Sequence, residues 1–345
     1  MRTFSILGCV ALVAFSFPAT VLSQDSVFKI RAGGGTSKVN GKITRISADG
    51  VTIDSEEIPA AEIRKLVFSK EPREVGRARD QMESGRYADA IDELKKIKSA
   101  AQSPMLQQEI DFIEAYSTSQ ISLRGGNVAP QVAGKTIGNF IATYSDSSFH
   151  LAPAVEQYGK LIFAFGKPDL AAAEFAKLAN SSWPEYRLKG LFQSGKTLTE
   201  LGRYSEAKTA FDAILAVQEN DDLSQAYKLL AKCEIARLAG LQGNTDEAKQ
   251  TIENLIRDND PDEKLLFAHL YNALGATFEK SGQLKDAATA YLHTELLFAT
   301  ETEPHSEALY RLSLIWPQLE ETDRANRSRN TLKTRYRNSY WAGKL

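Results

Sequence analysis

A short motif recurs along most of the chain and constrains its fold more than any other feature of the sequence. A glycine is followed five residues later by an alanine, and a large apolar residue comes four residues after that alanine. Spacings of this kind put the alanine and the apolar side chain on one face of a helix. The five copies begin at Gly85, Gly166, Gly202, Gly243 and Gly282. A repeat at this interval predicts an array of helical hairpins.

A small residue also lies seven positions before each of these glycines, where it lets the two helices of a hairpin approach closely. The five residues are Ala78, Gly159, Gly195, Ala236 and Gly275. With this second feature the pattern resembles the tetratricopeptide repeat (TPR) family from Pro72 to Trp341. The resemblance implies a curved superhelix whose concave groove holds a protein or peptide partner.

Two weaker hairpins complete the array. One is formed by 105–123 and 128–144, between the first and third repeats, and the other by 306–319 and 325–336 at the end of the chain. The sequence therefore predicts a mainly α fold, a TPR-like solenoid of about seven hairpins over residues 71–345.

Residues 24–70 follow a different period. Between Ser26 and Phe68 apolar residues alternate with a period of two, and Asp49-Gly50 is a tight-turn dipeptide, so four or five short strands are expected. The pattern resembles SH3-like or Sm-like small β-barrels, some of which bind RNA. This stretch carries seven Lys/Arg against five Asp/Glu, which is a poor electrostatic footprint for nucleic acid. We interpret it as a stabilising or docking module.

Residues 1–23 have the three parts of a secretory signal: a positive start, an apolar run and small residues before Gln24. The alternatives are an uncleaved anchor and a lipoprotein, because Ile6-Leu7-Gly8-Cys9 resembles a lipobox. We expect cleavage before Gln24 and an exported, periplasmic or extracytoplasmic protein. Beyond the signal, no segment is apolar enough to suggest a membrane span. Cys233 is then the one remaining thiol. No internal disulfide can form, so the fold must be held together by its core.

Signals for catalysis are weak. Residues 190–197 match the P-loop pattern, and 129–136 match a relaxed form of it. Gly195 is, however, the helix-packing glycine of a repeat, so the segment should be helical, with its N–H groups already bonded. Lys196 would then be a surface side chain whose removal leaves stability nearly unchanged. The four histidines have no metal-ligand spacing. We predict no enzyme activity, catalytic residue, metal or cofactor.

The residue after the small packing residue faces the groove in TPR proteins. Four of these positions carry cations, namely Arg79, Lys160, Lys196 and Arg237, and Phe163 and Phe192 could add apolar anchors. Such a ladder suits an acidic peptide or a free carboxylate. The alternative is a solvated helix face with chance charges. The net charge of −2 argues against nucleic acid as a partner.

The C-terminal stretch is basic and aromatic. From Arg324 to Leu345 there are seven Lys/Arg and no Asp/Glu, and the residues of interest are Arg335, Tyr336, Arg337, Tyr340 and Trp341. One interpretation is a tail that docks on the cell wall or another anionic polymer. We favour the other, in which the cations suit the C-terminus of the last helix and the aromatic side chains cover the end of the solenoid. The sequence as a whole suggests a non-enzymatic interaction scaffold of the cell envelope.

Overall fold

The protein is described by a computed structural model over residues 24–31, 35–97 and 103–345. The signal-like segment 1–23 lies outside the described residues. The chain begins with two antiparallel sheets of three strands, in the orders β2-β1-β6 and β3-β4-β5. The strands are β1 (Asp25–Ile30), β2 (Thr36–Gly41), β3 (Ile43–Ser47), β4 (Gly50–Ile53), β5 (Glu56–Pro59) and β6 (Ile63–Val67).

The turn that joins β3 and β4 is formed by Ala48-Asp49, one residue earlier than the predicted Asp49-Gly50, and Ile46 lies opposite Val51. The chain passes from the first sheet to the second at Lys42, between β2 and β3. The backbone N–H groups of Lys42 and Ile43 donate to the carboxylates of Asp54 and Asp25, at 2.9 and 3.0 Å. These side-chain acceptors satisfy the backbone where it leaves one sheet for the other.

The sheets share a core with the first helices. Val27 and Leu66 belong to the same buried apolar cluster as Val75, Ala78 and Ile113 of the helical part. Burial of this common surface fixes the sheets to one end of the helical array.

Fourteen α-helices follow within the described part of the chain, and consecutive helices pair into seven hairpins, which confirms the predicted TPR-like solenoid. They are α1 (Arg73–Glu83), α2 (Tyr87–Leu94), α3 (Pro104–Leu123), α4 (Pro130–Tyr144), α5 (Leu151–Ala164), α6 (Pro168–Ala179), α7 (Pro184–Glu200), α8 (Tyr204–Leu215), α9 (Asp222–Leu241), α10 (Thr245–Asp258), α11 (Lys264–Lys280), α12 (Leu284–Leu297), α13 (Thr302–Ile315) and α14 (Thr322–Arg335).

Glycines at the packing position bring the two helices of a hairpin close together. A Cβ added to Gly195 would lie 2.6 Å from the ring of Phe211, and one added to Gly159 would lie 2.6 Å from Phe175. Each ring occupies the space that the missing side chain leaves. The small residue and the aromatic residue of the repeat are therefore two halves of one contact, as the sequence predicts.

The turn between the helices of a hairpin needs a left-handed residue. The turn glycines, from Gly85 in the first hairpin to Gly282 in the sixth, have φ between 72 and 104°. In the seventh hairpin the corresponding turn is formed by Glu320, with φ of 64°. A side chain in this conformation strains the backbone, which glycine does not.

We expect Glu320→Gly to stabilise the protein by about 1 kcal/mol, since the relief of left-handed strain exceeds the added entropy of the unfolded chain. Thermal or urea unfolding of the two chains measures the difference. As a matched control, Gly202→Ala should destabilise, because it introduces the same strain at a turn with φ of 72°. A lower stability for Glu320→Gly would contradict this account of the turn.

Candidate functional site

The odd-numbered helices line the concave side of the superhelix, and the end of the chain closes part of that side. The start of α13 and the C-terminal segment, residues 337–345, lie across from α3, α5 and α7. Between them is a cavity of about 290 Å³ whose lining includes Lys160, Phe163, Gln193, Glu303 and Tyr340. We call this space, together with the bed of the C-terminal segment, the groove.

A buried ionic cluster joins the middle of the array to α13. Lys196 Nζ lies 2.5 Å from Glu303 Oε1, and Arg237 Nη2 lies 2.5 Å from Glu307 Oε1. The cluster includes two more carboxylates, Glu200 and Glu234, at 3.4 and 3.8 Å from the Arg237 guanidinium. These pairs therefore link α7 and α9 to α13, which lies 70 to 107 residues further along the chain.

The cluster keeps its carboxylates ionised. Burial alone would raise the pKa of Glu234, but the Arg237 charge and a hydrogen bond from His269 outweigh it and lower this pKa to about 2. Burial opposes ionisation of Glu307 and, less completely, of Glu303, whose side chain is 42% exposed; their pKa values are nevertheless lowered, chiefly by Arg237 and Lys196 respectively. The groove wall therefore carries fixed negative charge at neutral pH.

A second buried cluster lies at the other end of the array. Arg79 donates to Glu109 at 2.8 Å and to both carboxylate oxygens of Glu71 at 3.0 Å, and His150 lies 2.8 Å from Glu109. Burial disfavours the Glu109 charge, but Arg79 and His150 more than compensate and lower its pKa to about 2. This cluster connects α1, α3 and the start of α5, so its role is structural.

The expected row of free cations needs correction. Arg79, Lys196 and Arg237 are buried in ion pairs. Lys160 lines the cavity and is about one-third exposed, but it is paired with Glu156 one turn earlier. A charge that is already balanced attracts an acidic ligand weakly. Lys196 is also no surface residue, so its removal would leave Glu303 without its partner.

The two predicted aromatic anchors have different positions. Phe163 lines the cavity, where its ring lies 4.2 Å from that of Tyr340. Phe192 is instead buried in the hydrophobic core, 6.0 Å from Phe211 and 5.8 Å from Tyr227 between ring centroids. It is therefore a packing residue and offers no surface to a partner.

The alternative interpretation, a free basic and aromatic tail, needs correction, because the end of the chain is bound to the chain itself. Tyr336 is buried and lies 2.6 Å from His305 Nδ1, and Trp341 is buried beside Tyr310. Arg335 donates to the Ala299 carbonyl at 2.8 Å. The aromatic residues cover the concave side rather than the open end of the solenoid.

The remaining chemical signals have structural explanations. Residues 190–197 lie inside α7, as predicted, and a Cβ on Gly190 would touch the backbone of α6. Cys233 is fully buried, and burial raises the pKa of its thiol. Over residues 24–31, 35–97 and 103–345, no group of three or more His, Cys, Asp or Glu side chains is placed to hold a metal ion.

The sequence did not point to the acidic side of the site or to the residues that hold the C-terminal segment. They are Glu200, Glu303, Glu307, Asn338 and Lys344. A signal was present for two of them, because Glu303 and Glu307 are four residues apart and so share one face of α13. Their partners could not be assigned without knowing how far the superhelix turns.

None of the helices in the described part of the chain is both long and apolar enough to cross a membrane. No protein-family model matches the sequence, and no curated protein matches it.

Solved structures do resemble this one. A tetratricopeptide repeat protein from Parabacteroides merdae superposes with a TM-score of 0.54 and 18% identity, over 76% of this chain and 92% of that chain. A Rap protein complexed with Competence and Sporulation Factor superposes with a TM-score of 0.50 and 11% identity, over 79% and 77% of the two chains. At these identities the likeness shows the fold, which is a TPR-like α-solenoid.

Proposed function

We propose that the protein is a non-enzymatic scaffold that holds a segment of a partner protein in the groove. The observation that carries this proposal is that the groove already holds a chain segment, residues 337–345, whose side chains donate to backbone carbonyls and pack against an aromatic ring. A surface that binds one peptide segment in this way has the polar and apolar contacts to bind another.

The chemistry of the groove supports binding rather than catalysis. Its buried titratable groups, in the part of the chain that the structure describes, are paired with one another across helices. The pKa of Glu234 is lowered to about 2, which leaves it a poor proton acceptor at neutral pH. Such groups stabilise the scaffold and present charge to a ligand.

Site-specific photo-crosslinking in the native host tests the proposal. A photoreactive amino acid replaces Gln193, which lines the cavity. The matched control carries it in place of Lys208, an exposed residue of α8. We expect a covalent adduct with a partner polypeptide at residue 193 and none at residue 208. Identical adducts at the two positions, or none at residue 193, would argue against a groove-bound partner.

We also propose that the protein works outside the cytoplasm, in the envelope or periplasm, because its first residues have the pattern of a secretory signal. The mature chain isolated from the host should begin at Gln24. N-terminal sequencing decides the matter: a chain that keeps Met1, or a lipid on Cys9, would contradict cleavage at this position.

We further infer that residues 24–70 form the predicted SH3-like or Sm-like module and that residues 71–345 form the binding domain. The shared core of the sheets with α1 and α3 supports a bracing role for the module. The proposed partner is a protein or peptide, and the proposal includes neither cofactor nor nucleic acid.

A further inference from the structure

The C-terminal segment closes the groove by contacts with distant parts of the chain. The side-chain amide of Asn338 donates to the carbonyls of Ser122, Gly126 and Val128, at 3.0, 3.1 and 3.1 Å. Arg337 Nε donates to the Gly125 carbonyl at 2.8 Å. These carbonyls lie at and just after the end of α3, where a helix leaves acceptors without partners. The segment thus caps α3 from more than 200 residues away.

Two cavities adjoin the segment. One of about 290 Å³ lies between it and α3, α5, α7 and α13, and a more open one of about 670 Å³ lies against the start of α4 and the turn after α5. The groups that hold the segment, namely the carbonyls after α3, the Phe163 ring and Glu200, are already occupied by it. A peptide that binds to these groups must take the place of residues 337–345. An external ligand and the C-terminal segment must compete.

The charges of the groove indicate which ligand would compete. In the cluster around Arg237, four carboxylates face two cations; they are Glu200, Glu234, Glu303 and Glu307 against Lys196 and Arg237. Lys344 of the C-terminal segment supplies a third cation, with its Nζ 3.5 Å from Glu200. When the segment leaves, this end of the groove loses a positive charge.

Other charges nearby do not reverse this balance. Lys160 is matched by Glu156, and Arg311, which also faces Glu307 and Glu200, adds one cation together with one more carboxylate, Glu279, at 4.0 Å. Arg124 lies at the far end of the groove, with its guanidinium over the Tyr87 ring. Even with Arg124 included, carboxylates outnumber cations. The emptied groove favours a cationic ligand.

The apolar part of the segment indicates the second property of that ligand. Tyr340 lies against Phe163, and Trp341 is buried against Tyr310 and next to Tyr340. Lys344 Nζ lies 4.4 Å from the Tyr340 ring centroid. An aromatic side chain followed closely by a cation thus fits the groove.

We propose that the groove takes a basic peptide segment with an aromatic anchor, and that residues 337–345 are a displaceable internal occupant that such a segment replaces. This inference rests on the proposed function, and it reverses the acidic partner that the cation ladder suggested. The apparent affinity for an external ligand of the groove is therefore the intrinsic affinity multiplied by the fraction of time that the C-terminal segment leaves the groove open.

A peptide-binding experiment on the full chain tests the proposal. The probe is a fluorescently labelled synthetic peptide of residues 336–345, and its matched control carries Glu in place of Arg337 and Lys344. In a loosened protein, Asn338→Asp removes an amide donor, and Lys344→Glu removes the contact with Glu200. We expect the loosened protein to bind the basic probe about tenfold more tightly than the unmodified protein does.

Three results of this titration would overturn the proposal: equal binding of the basic and acidic peptides, equal binding to the two proteins, or no binding to the loosened protein. The control protein, Lys333→Glu, alters an exposed cation of α14 and should bind as the unmodified chain does. Circular dichroism checks that the loosened protein is folded.

Hydrogen exchange on the unmodified chain gives an independent reading if the loosened protein fails to fold. An excess of the basic peptide should increase exchange in residues 337–345, and the acidic peptide should leave exchange unchanged. Unchanged exchange with both peptides would contradict displacement. A crosslinked partner at residue 193 together with negative peptide results would reject this inference while leaving the proposed function in place.

Discussion

Gly195→Leu should lower the free energy of unfolding by about 3 kcal/mol or more, at the upper end of the cost of overpacking a core. Even the first added carbon would lie 2.6 Å from the Phe211 ring, and neither helix can retreat without disturbing its next neighbour. Urea unfolding followed by circular dichroism measures the change. Combining Gly195→Leu with Phe211→Ala should restore part of the lost stability, because the smaller side chain at residue 211 leaves room for the larger one at residue 195.

Gly134→Leu is the matched control for this substitution. Gly134 also lies inside a helix, α4, but a Cβ there would meet nothing within 4 Å. Leucine has the better helix propensity, so this change should raise stability by about 0.5–1 kcal/mol. If Gly195→Leu proved as mild as Gly134→Leu, residue 195 could not be a packing residue. Magnesium-dependent ATP binding by the purified protein would then support the P-loop interpretation of residues 190–197.

The hairpins were predictable because the information that defines them is local and repeated. The contact between Gly159 and Phe175 is contained within one repeat, and so is the left-handed turn at Gly166. Each further copy of the motif supplies the same constraints again. Where a hairpin departs from the motif, as at Glu320, the fold keeps the backbone conformation and accepts the strain.

The site was only half predictable because its other half comes from another part of the chain. The sequence register places Lys196 and Arg237 on the concave side, which is where they line a small cleft with Trp341. It cannot tell that Glu303 and Glu307, 107 and 70 residues further on, reach the same place. That distance depends on the curvature of the whole array, to which every inter-repeat contact contributes.

The position of the C-terminal segment was not predictable either, because its contacts are with a distant part of the chain. The composition of residues 324–345 identifies a basic and aromatic stretch but gives no direction for it. The acceptors that hold it are backbone carbonyls at the end of α3, and backbone groups leave no mark in a sequence. Gly125, which lies beside these carbonyls, reflects the close approach of the C-terminal part of the chain, because a Cβ there would lie 2.5 Å from the Arg335 carbonyl oxygen.

Arg237→Ala should destabilise the protein by about 3–5 kcal/mol, which is the usual cost of removing one partner from a buried ion pair. The guanidinium is 3% exposed, and its loss leaves Glu307 and Glu234 as buried charges with fewer partners. The matched control is Arg203→Ala, which removes a half-exposed guanidinium paired with Glu206 and should cost less than about 1 kcal/mol.

The loss caused by Arg237→Ala should depend on pH in a defined direction. In the intact protein the folded-state pKa of Glu234 is about 2, below the ordinary value of 4.5. Its ionised form therefore stabilises the fold above pH 4.5, and this contribution is lost as the pH falls toward 2. Without Arg237 the pKa values of Glu234 and Glu307 rise, so both carboxyls take up protons while folded. The difference in stability between the two proteins should narrow on acidification.

Glu307→Gln provides the decisive comparison for the ionic cluster. Added to Arg237→Ala, it replaces a buried charge that has lost its ion-pair partner by a neutral amide and should restore part of the stability, whereas on the intact background it breaks a pair and should reduce stability. A double-mutant cycle over these proteins isolates the coupling between the two side chains. If Arg237→Ala cost no more than Arg203→Ala, or if the cycle gave no coupling, the link between α9 and α13 would not hold the groove in shape. The superhelix would then depend on its repeat-to-repeat packing alone.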